Sequence, residues 1–466
     1  MRLRVRADPL SPWFRAILDG SSRIEGVEAG VSDGEIVIDG TPCRGEVWSF
    51  AIDGGDWRHA GSAALWAGRR TAAAALLARP AGAPDHPAVV VDQVQIKTVP
   101  HDPAATRERL LDAAAAMPAR VIRRRMAGVA DPRIAPIDTP GLANWRRRLL
   151  PAALVRNLLV RLWRERLEER WTIGIVDRPP AELMAAELMA AELMADPLAI
   201  GIEAAPIRWL EPRPAGYLAD PFAAVHAGAV QLFAEACDFD RRKGYLVTAA
   251  LDDLTRTTDT RTVLEEPHHL SFPQVFEHEG RWWMLPEAVQ SGRIDLYRAD
   301  PFPDRWKRVR TLVEDFAGAD PVLHRHENCW WLFATDHAQQ DETTLCLFHA
   351  PDLEGPWRPH PMNPVKTDIG SARPAGPLFR RGADLIRPAQ DCSRRYGGAV
   401  VFNRVLALDA RVYVEETVGR LDPDPAGPWP HGLHTLTPIG DGRSLIDGKR
   451  EHFSWRRWAH GLKQLL

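Results

Sequence analysis

Apolar, aromatic-rich runs return at steps of roughly fifty residues through the second half of this chain, and few folds accept such a period. The runs are Gln231-Leu232-Phe233-Ala234-Glu235, Trp283-Met284-Leu285-Pro286-Glu287, Trp331-Leu332-Phe333-Ala334-Thr335 and Leu385-Ile386-Arg387-Pro388-Ala389. Each follows a strand-like run with a polar or Pro-flanked start: Asp220-Pro221, Ser271-Phe272-Pro273, Asp320-Pro321 and Arg373-Pro374, with Gly432 to Leu436 as a fifth. Third strands are expected at 294–299, 344–350 and 398–402. The step is that of one four-stranded propeller blade, so five units predict a five-bladed β-propeller with each first strand lining the central channel. A β-sandwich could use the same strands, but it does not call for the repeated pairing of a polar start with an aromatic second strand.

The chain ahead of these repeats has another texture. Residues 1–130 alternate short strand-like runs (35–40, 45–50, 89–91, 94–96) with Ala-rich helical ones (63–77, and 105–115 opened by Asp102-Pro103), which predicts a small α/β domain. Residues 131–203 read as a helical connector. Within it, 145–167 is a basic amphipathic stretch with Leu158, Leu159, Leu162 and Trp163 at helical spacing among Arg156, Arg161, Arg164 and Arg166. Such a helix can lie on an anionic membrane surface or pack its stripe on a neighbouring domain. Ala-Glu-Leu-Met-Ala then recurs three times over 181–195. A five-residue step turns about 140° around a helix, so its Leu residues share no face and the segment reads as a linker expansion. The propeller is expected over 204–458. The fold class is therefore mainly β, a C-terminal five-bladed propeller behind a small α/β domain and a helical connector.

Composition narrows the function. A formal charge of −3 gives no general affinity for nucleic acid, and five scattered Cys argue against a disulfide framework or a zinc site. No motif asks for a metal or a cofactor. Arg2, Arg4, Arg6 and Asp8 interrupt any leader-like apolar core, and no apolar window is long enough for a membrane span, so the expected location is cytoplasmic. Nothing in the sequence sets the oligomeric state.

A propeller gathers equivalent positions of its blades around one axis. The strand starts would bring Asp220, Asp320, Arg373 and His434 together, and the second strands would add Glu235, Glu287, Arg387, Gln390 and Asp391, with Tyr396 in the loop beyond. Several carboxylates, two Arg and a His at one mouth are costly to assemble without a ligand, because like charges repel and raise each other's pKa. Paired carboxylates are the equipment of glycosidic-bond hydrolysis. In that assignment Asp220 is base or nucleophile, Glu287 the general acid, and Asp320 holds charge and geometry between them; Glu235, Arg373, Arg387, Gln390, Asp391, Tyr396 and His434 contact substrate.

The segments Ala219-Asp220-Pro221-Phe222, Pro286-Glu287, Ala372-Arg373-Pro374-Ala375-Gly376, Arg387 through Ser393, Tyr396-Gly397-Gly398 and His434-Thr435-Leu436 resemble the domain at the N-terminus of glucosamine inositolphosphorylceramide transferases and of bacterial proteins carrying it behind a formyltransferase-like domain. That domain is similar in architecture to the arabinanase, levansucrase and invertase propellers, which include the family 43 glycoside hydrolases. The resemblance implies a carbohydrate-active or carbohydrate-binding propeller. Those hydrolases carry their general acid in a Glu-Gly-Pro setting; the triplet here, Glu354-Gly355-Pro356, is expected in an outer turn. The order of elements around Gly45 to Phe50 resembles the second half of a formyltransferase catalytic domain. Ser49 and Ala51 stand where that family has its Asn and His, which implies a remnant without formyl transfer. Three readings stand: a glycoside-hydrolase-like enzyme on a cell-surface or glycolipid sugar; a non-catalytic glycan or sugar-phosphate module that supports a glycosyltransferase pathway, with Arg373 and Arg387 on the phosphate; and a scaffold whose charge network braces the blades.

Overall fold

The computed structural model describes residues 2–5, 12–24, 28–31, 36–39, 46–135, 150–184 and 207–454, apart from a few short gaps. It divides into two compact units, residues 1–164 with 364–369 and 405–416, and residues 165–363 with 370–404 and 417–466.

Unit 1 carries a six-stranded sheet in the order β2-β1-β3-β4-β5-β6, built from β1 (Arg2–Val5), β2 (Glu28–Val31), β3 (Ile36–Asp39), β4 (Glu46–Ile52), β5 (Thr71–Pro80) and β6 (Val89–Lys97). Its helices are α1 (Pro12–Ser22), α2 (Ser62–Ala67), α3 (Pro103–Ala115), α4 (Met117–Met126) and α5 (Leu150–Arg164). Trp48, Leu76, Val94, Ile96, Leu110, Val121 and Ile122 fill the core between sheet and helices. The start of α3 follows from Asp102, whose carboxylate accepts the Ala105 N–H at 2.9 Å ahead of Pro103. The helix expected over 63–77 is corrected. It stops at Gly68, which is left-handed at φ +72°, and the alanines of 72–75 lie in β5 instead. Their helix propensity yields to burial of β5 between β4 and β6, where small side chains let the helices approach the sheet.

Unit 2 is mainly β. Its strands are β7 (Leu167–Val176) and β8 (Ile207–Trp209); β9 to β12 (Gly216–His226, Ala229–Asp238, Gly244–Ala250, Arg261–Leu264); and β13 to β16 (Ser271–His278, Arg281–Glu287, Ile294–Ala299, Trp306–Val313). Then come β17 to β20 (Gly318–His326, Cys329–Asp336, Thr344–Ala350, Arg358–Pro359), and β21 (Lys366–Thr367), which falls in unit 1. β22 to β25 (Phe379–Arg381, Asp384–Asp391, Ala399–Leu408, Tyr413–Leu421, of which 405–416 falls in unit 1), β26 (Leu436–Pro438) and β27 (Ser444–Phe453) complete the series. Four successive sheets follow chain order, and a last one runs β26-β27-β7-β8. Buried side chains join three neighbouring pairs of these sheets: Trp283 and Leu296 of the second with Leu332 of the third, Ile386 and Phe402 of the fourth with Val176 and Ile446 of the last, and Ile173 and Leu445 of the last with Leu218 and Leu232 of the first.

The connector expected over 131–203 thus contains a strand. β7 pairs with β27 along ten residues, so the chain's two ends of unit 2 close one sheet, a long-range pairing that local periodicity does not carry. Of the Ala-Glu-Leu-Met repeat, 181–184 is helical with Leu183 and Met184 buried, and the rest lies outside the described residues. The fourth first strand is also shorter than expected. Around Arg373-Pro374 there is a lone bridge from Pro374 to Ala389, because the prolines at 374 and 377 cannot donate to a ladder.

In the first three sheets the ladder between the first two strands slips at the same place, at Asp220-Pro221, Phe272-Pro273 and Asp320-Pro321. Proline removes a donor there, and the residue before it turns left-handed, with φ of +52°, +46° and +46°. Asp tolerates that region and Phe does not readily, so Phe272 stays there because the packing around it, Phe222 edge-on at 4.9 Å among it, over-determines the bulge.

Candidate functional site

These bulges aim side chains at a buried polar centre. Asp320 is its best-connected member. Its Oδ2 accepts from Arg373 Nε and from Gln390 Nε2, both at 2.6 Å, its Oδ1 from Arg373 Nη2 at 3.3 Å, and its own N–H donates to Glu287 Oε2 at 2.8 Å. Arg373 Nη2 also reaches Glu287 Oε2 at 3.4 Å. One guanidinium therefore serves two carboxyl groups.

Asp220 heads a second group. Its Oδ2 accepts the Phe272 N–H at 3.2 Å and its Oδ1 the Thr435 hydroxyl at 3.0 Å, with His434 Nε2 at 3.4 Å. His434 Nδ1 lies 2.5 Å from Asp447 Oδ2, and the other Asp447 oxygen accepts the backbone N–H groups of His434 and Thr435. Trp171 stacks on the imidazole with ring centres 4.0 Å apart. The two groups meet at Tyr396, whose ring lies 5.2 Å from the Arg373 guanidinium on one side and 5.5 Å from His434 on the other. Lys449, fully buried, sits 5.1 Å over Trp171 and donates to the Tyr396 carbonyl.

Burial and neighbouring charge tune these groups. Burial raises Asp220 against the pull of His434, and the carboxylates of Glu235, Asp320 and Asp447 add to it, pushing it up to about 7. Asp320 is likewise pushed up to about 7 by burial, opposed by Arg373 and helped by Glu287. Burial alone would lower His434, but Asp447 and Asp220 outweigh it and hold the imidazole at about 9, so it is charged at neutral pH. Asp447 stays below its ordinary value although burial opposes this, because His434 faces it. Asp220, His434 and Asp447 could each offer one atom to a cation within 4.8 Å of the others. The imidazolium already pairs with Asp447 and faces a raised Asp220, so the set reads as an ion-paired proton network rather than a cation site.

The predicted residues thus divide. Asp220, Glu287, Asp320, Arg373, Gln390, Tyr396 and His434 come together. Glu235 is drawn into a neighbouring cluster, accepting from Tyr217 and His269 at 3.2 Å each, and His269 is raised to about 9: burial lowers it, and Glu235 more than compensates. Arg387, although fully buried, donates to the carbonyls of Ser371 and Ala372 at 2.6 and 3.1 Å, and so braces the segment that presents Arg373. Asp391 pairs with Arg420 and accepts the Ser393 N–H. Glu354 is exposed in the turn between β19 and β20. Sequence reasoning missed Asp447, Trp171 and Lys449. One more step of the repeat reaches Leu445-Ile446-Asp447 and would have found the first; Trp171 lies in the segment read as connector and carried no such signal.

The profile of the family described as glucosamine inositolphosphorylceramide transferase 1, N-terminal, matches residues 165–422, more than half of the chain. The chain belongs to this family. Curated glucosamine inositolphosphorylceramide transferase 1 proteins are 33% identical over 211 residues in Oryza sativa subsp. japonica and 32% identical over 212 residues in Arabidopsis thaliana. Each match covers 44% of this chain and 28% of the relative. Among solved structures, Zg3597, a family 117 glycoside hydrolase of Zobellia galactanivorans, aligns at 12% identity and a TM-score of 0.38 over 53% of this chain and 90% of its own. CoXyl43, a GH43 β-xylosidase/α-arabinofuranosidase from a compost microbial metagenome, aligns at 12% identity and 0.35 over 52% and 93%. In this glucosamine inositolphosphorylceramide transferase 1 N-terminal family member, the matched span holds Asp220, Glu287, Asp320, Arg373 and Tyr396, whereas His434 and Asp447 lie beyond its end.

Proposed function

We propose that unit 2 is a five-bladed propeller whose centre carries out acid–base chemistry at a glycosidic bond, with Asp220 and Asp320 as the proton-carrying pair. One observation carries this reading: two buried carboxyls, presented by matched left-handed bulges, are both pushed up to about 7. A group titrating there can give and take a proton at neutral pH, which is what protonating a leaving oxygen and activating an attacking group require. Glu287, which holds the Asp320 N–H and faces Arg373, becomes the residue that fixes Asp320 in place rather than the acid itself. Tyr396, Gln390 and Arg373 supply polar contacts to sugar hydroxyls. Since the relatives' name joins glucosamine to an inositolphosphorylceramide, the substrate class we propose is a glycolipid or cell-surface sugar.

A second reading, a non-catalytic sugar-binding module, rests on a specific observation: Arg373 and Gln390 already occupy Asp320. Its sugar-phosphate form is the weaker one, because Arg373 is neutralised by two carboxylates and Arg387 is engaged with backbone carbonyls. The test is turnover of a panel of aryl glycosides and sugar nucleotides by the full chain. The expected result is one or more substrates turned over with a pH profile inflecting near 7, and kcat down at least about a hundredfold in Asp220→Asn and Asp320→Asn with KM little changed. Calorimetric sugar binding without turnover, unaltered in Asp220→Asn, would decide for the binding module.

A further inference from the structure

The amphipathic helix α5 is held to unit 1 by its polar edge and shows its apolar stripe outward. Asn157 Nδ2 donates to the Leu65 carbonyl at 2.8 Å and to that of Pro100 at 3.4 Å, and Arg156 Nη2 to the Trp66 carbonyl at 2.9 Å. Ala153 and Asn157 are the buried residues of the helix. At about 100° per residue, Val155, Leu158, Leu159, Leu162 and Trp163 share an arc of roughly 140° on the opposite side. They are 38–61% exposed. Arg161 flanks that arc on one side, while Arg156 on the other turns its guanidinium back to unit 1, and α5 carries three Arg and no Asp or Glu.

We propose that this face of α5 docks on an anionic lipid surface. An apolar arc with a long cationic side chain at its edge is a pattern that settles in the headgroup region, with Leu and Trp in the acyl boundary and Arg161 on the phosphates. None of the described helices is long and apolar enough to cross a membrane, so α5 would lie in the plane of the surface. A second copy of the chain is a poor occupant, since a twofold contact would set two helices that each carry three Arg and no Asp or Glu against each other. The inference is independent of the sugar chemistry above and uses no residue of that site.

The test is co-sedimentation of the full chain with phosphatidylcholine vesicles made with and without phosphatidylserine. Binding is expected on the anionic vesicles only, weakening as salt is raised. Leu159→Glu with Leu162→Glu should weaken it at least about tenfold, through the loss of two buried Leu side chains. Arg161→Glu should weaken it about fivefold or more. Both changes are exposed, and circular dichroism checks that the fold is kept. Sedimentation with neither vesicle type, or equal sedimentation of the double variant, would overturn the proposal. So would a concentration-dependent dimer that the double variant dissolves.

Discussion

Replacing Arg373 by Met removes the guanidinium that bonds Asp320 and reaches Glu287 while keeping most of the side chain's length. All three side chains are nearly buried, at 7%, 3% and 11% exposed, so water cannot take over. Breaking a buried pair from one side costs about 3–5 kcal/mol, because a charge is left without a partner. Asp320 has an escape, since it is already pushed up to about 7 and can keep its proton. Its folded pKa lies above the unfolded value, so it costs the wild type stability as pH rises from about 4 to 7, after which the loss levels off. Without Arg373 the pKa climbs further and the decline continues above 7, at up to roughly 1.4 kcal/mol per pH unit. Below pH 7 the variant loses only its charge-assisted hydrogen bonds, roughly 1.5–3 kcal/mol. Urea unfolding followed by Trp fluorescence should therefore show a penalty that grows from about 2 kcal/mol at pH 6 to about 4 kcal/mol at pH 8.5. Asp320→Asn in the same chain should recover most of the alkaline part. A penalty independent of pH, or one under about 1 kcal/mol at both values, would refute the claim that Arg373 neutralises this centre.

The other predictions concern the second group and the backbone. His434 is raised to about 9, so its stabilisation is complete below the unfolded pKa of about 6.5 and is lost as pH rises through 9. His434→Gln should flatten that alkaline limb, a change on the order of a few kcal/mol read from unfolding midpoints between pH 6 and 10. Gly376 has φ +147°, and a Cβ there would stand 2.1 Å from the Leu436 carbonyl oxygen. Gly376→Ala should lower the melting temperature by more than about 5 °C. Gly382→Ala, at φ +59° but with no heavy atom within 4 Å of the added carbon, should cost only about 1 kcal/mol.

Part of the site was legible because repeats place like residues alike. Asp220 and Asp320 stand in matching Ala-Asp-Pro settings, and the structure gives both the same bulge and the same outcome on burial. Arg387 and Asp391 show the limit of that reasoning. They sit on β23 beside Gln390, yet Gln390 reaches Asp320 while Arg387 donates to backbone carbonyls and Asp391 turns to Arg420. Successive side chains on a strand point to opposite faces, and which polar atom meets which partner depends on segments brought in from elsewhere.

The sequence alone determined the strand-rich second half, its period, the helix start at Asp102-Pro103 and the polar residues at the strand starts, because these are written in local chemistry: alternation, proline and capping. Tertiary structure decided what depends on distant pairing. It drew β7 out of the presumed connector to close the last sheet against β27, bringing Trp171 onto His434. It turned the alanines of 72–75 from helix to strand by burying them between β4 and β6. It also set His434 between Asp220 and Asp447, residues more than two hundred positions apart, whose mutual charge no local pattern records.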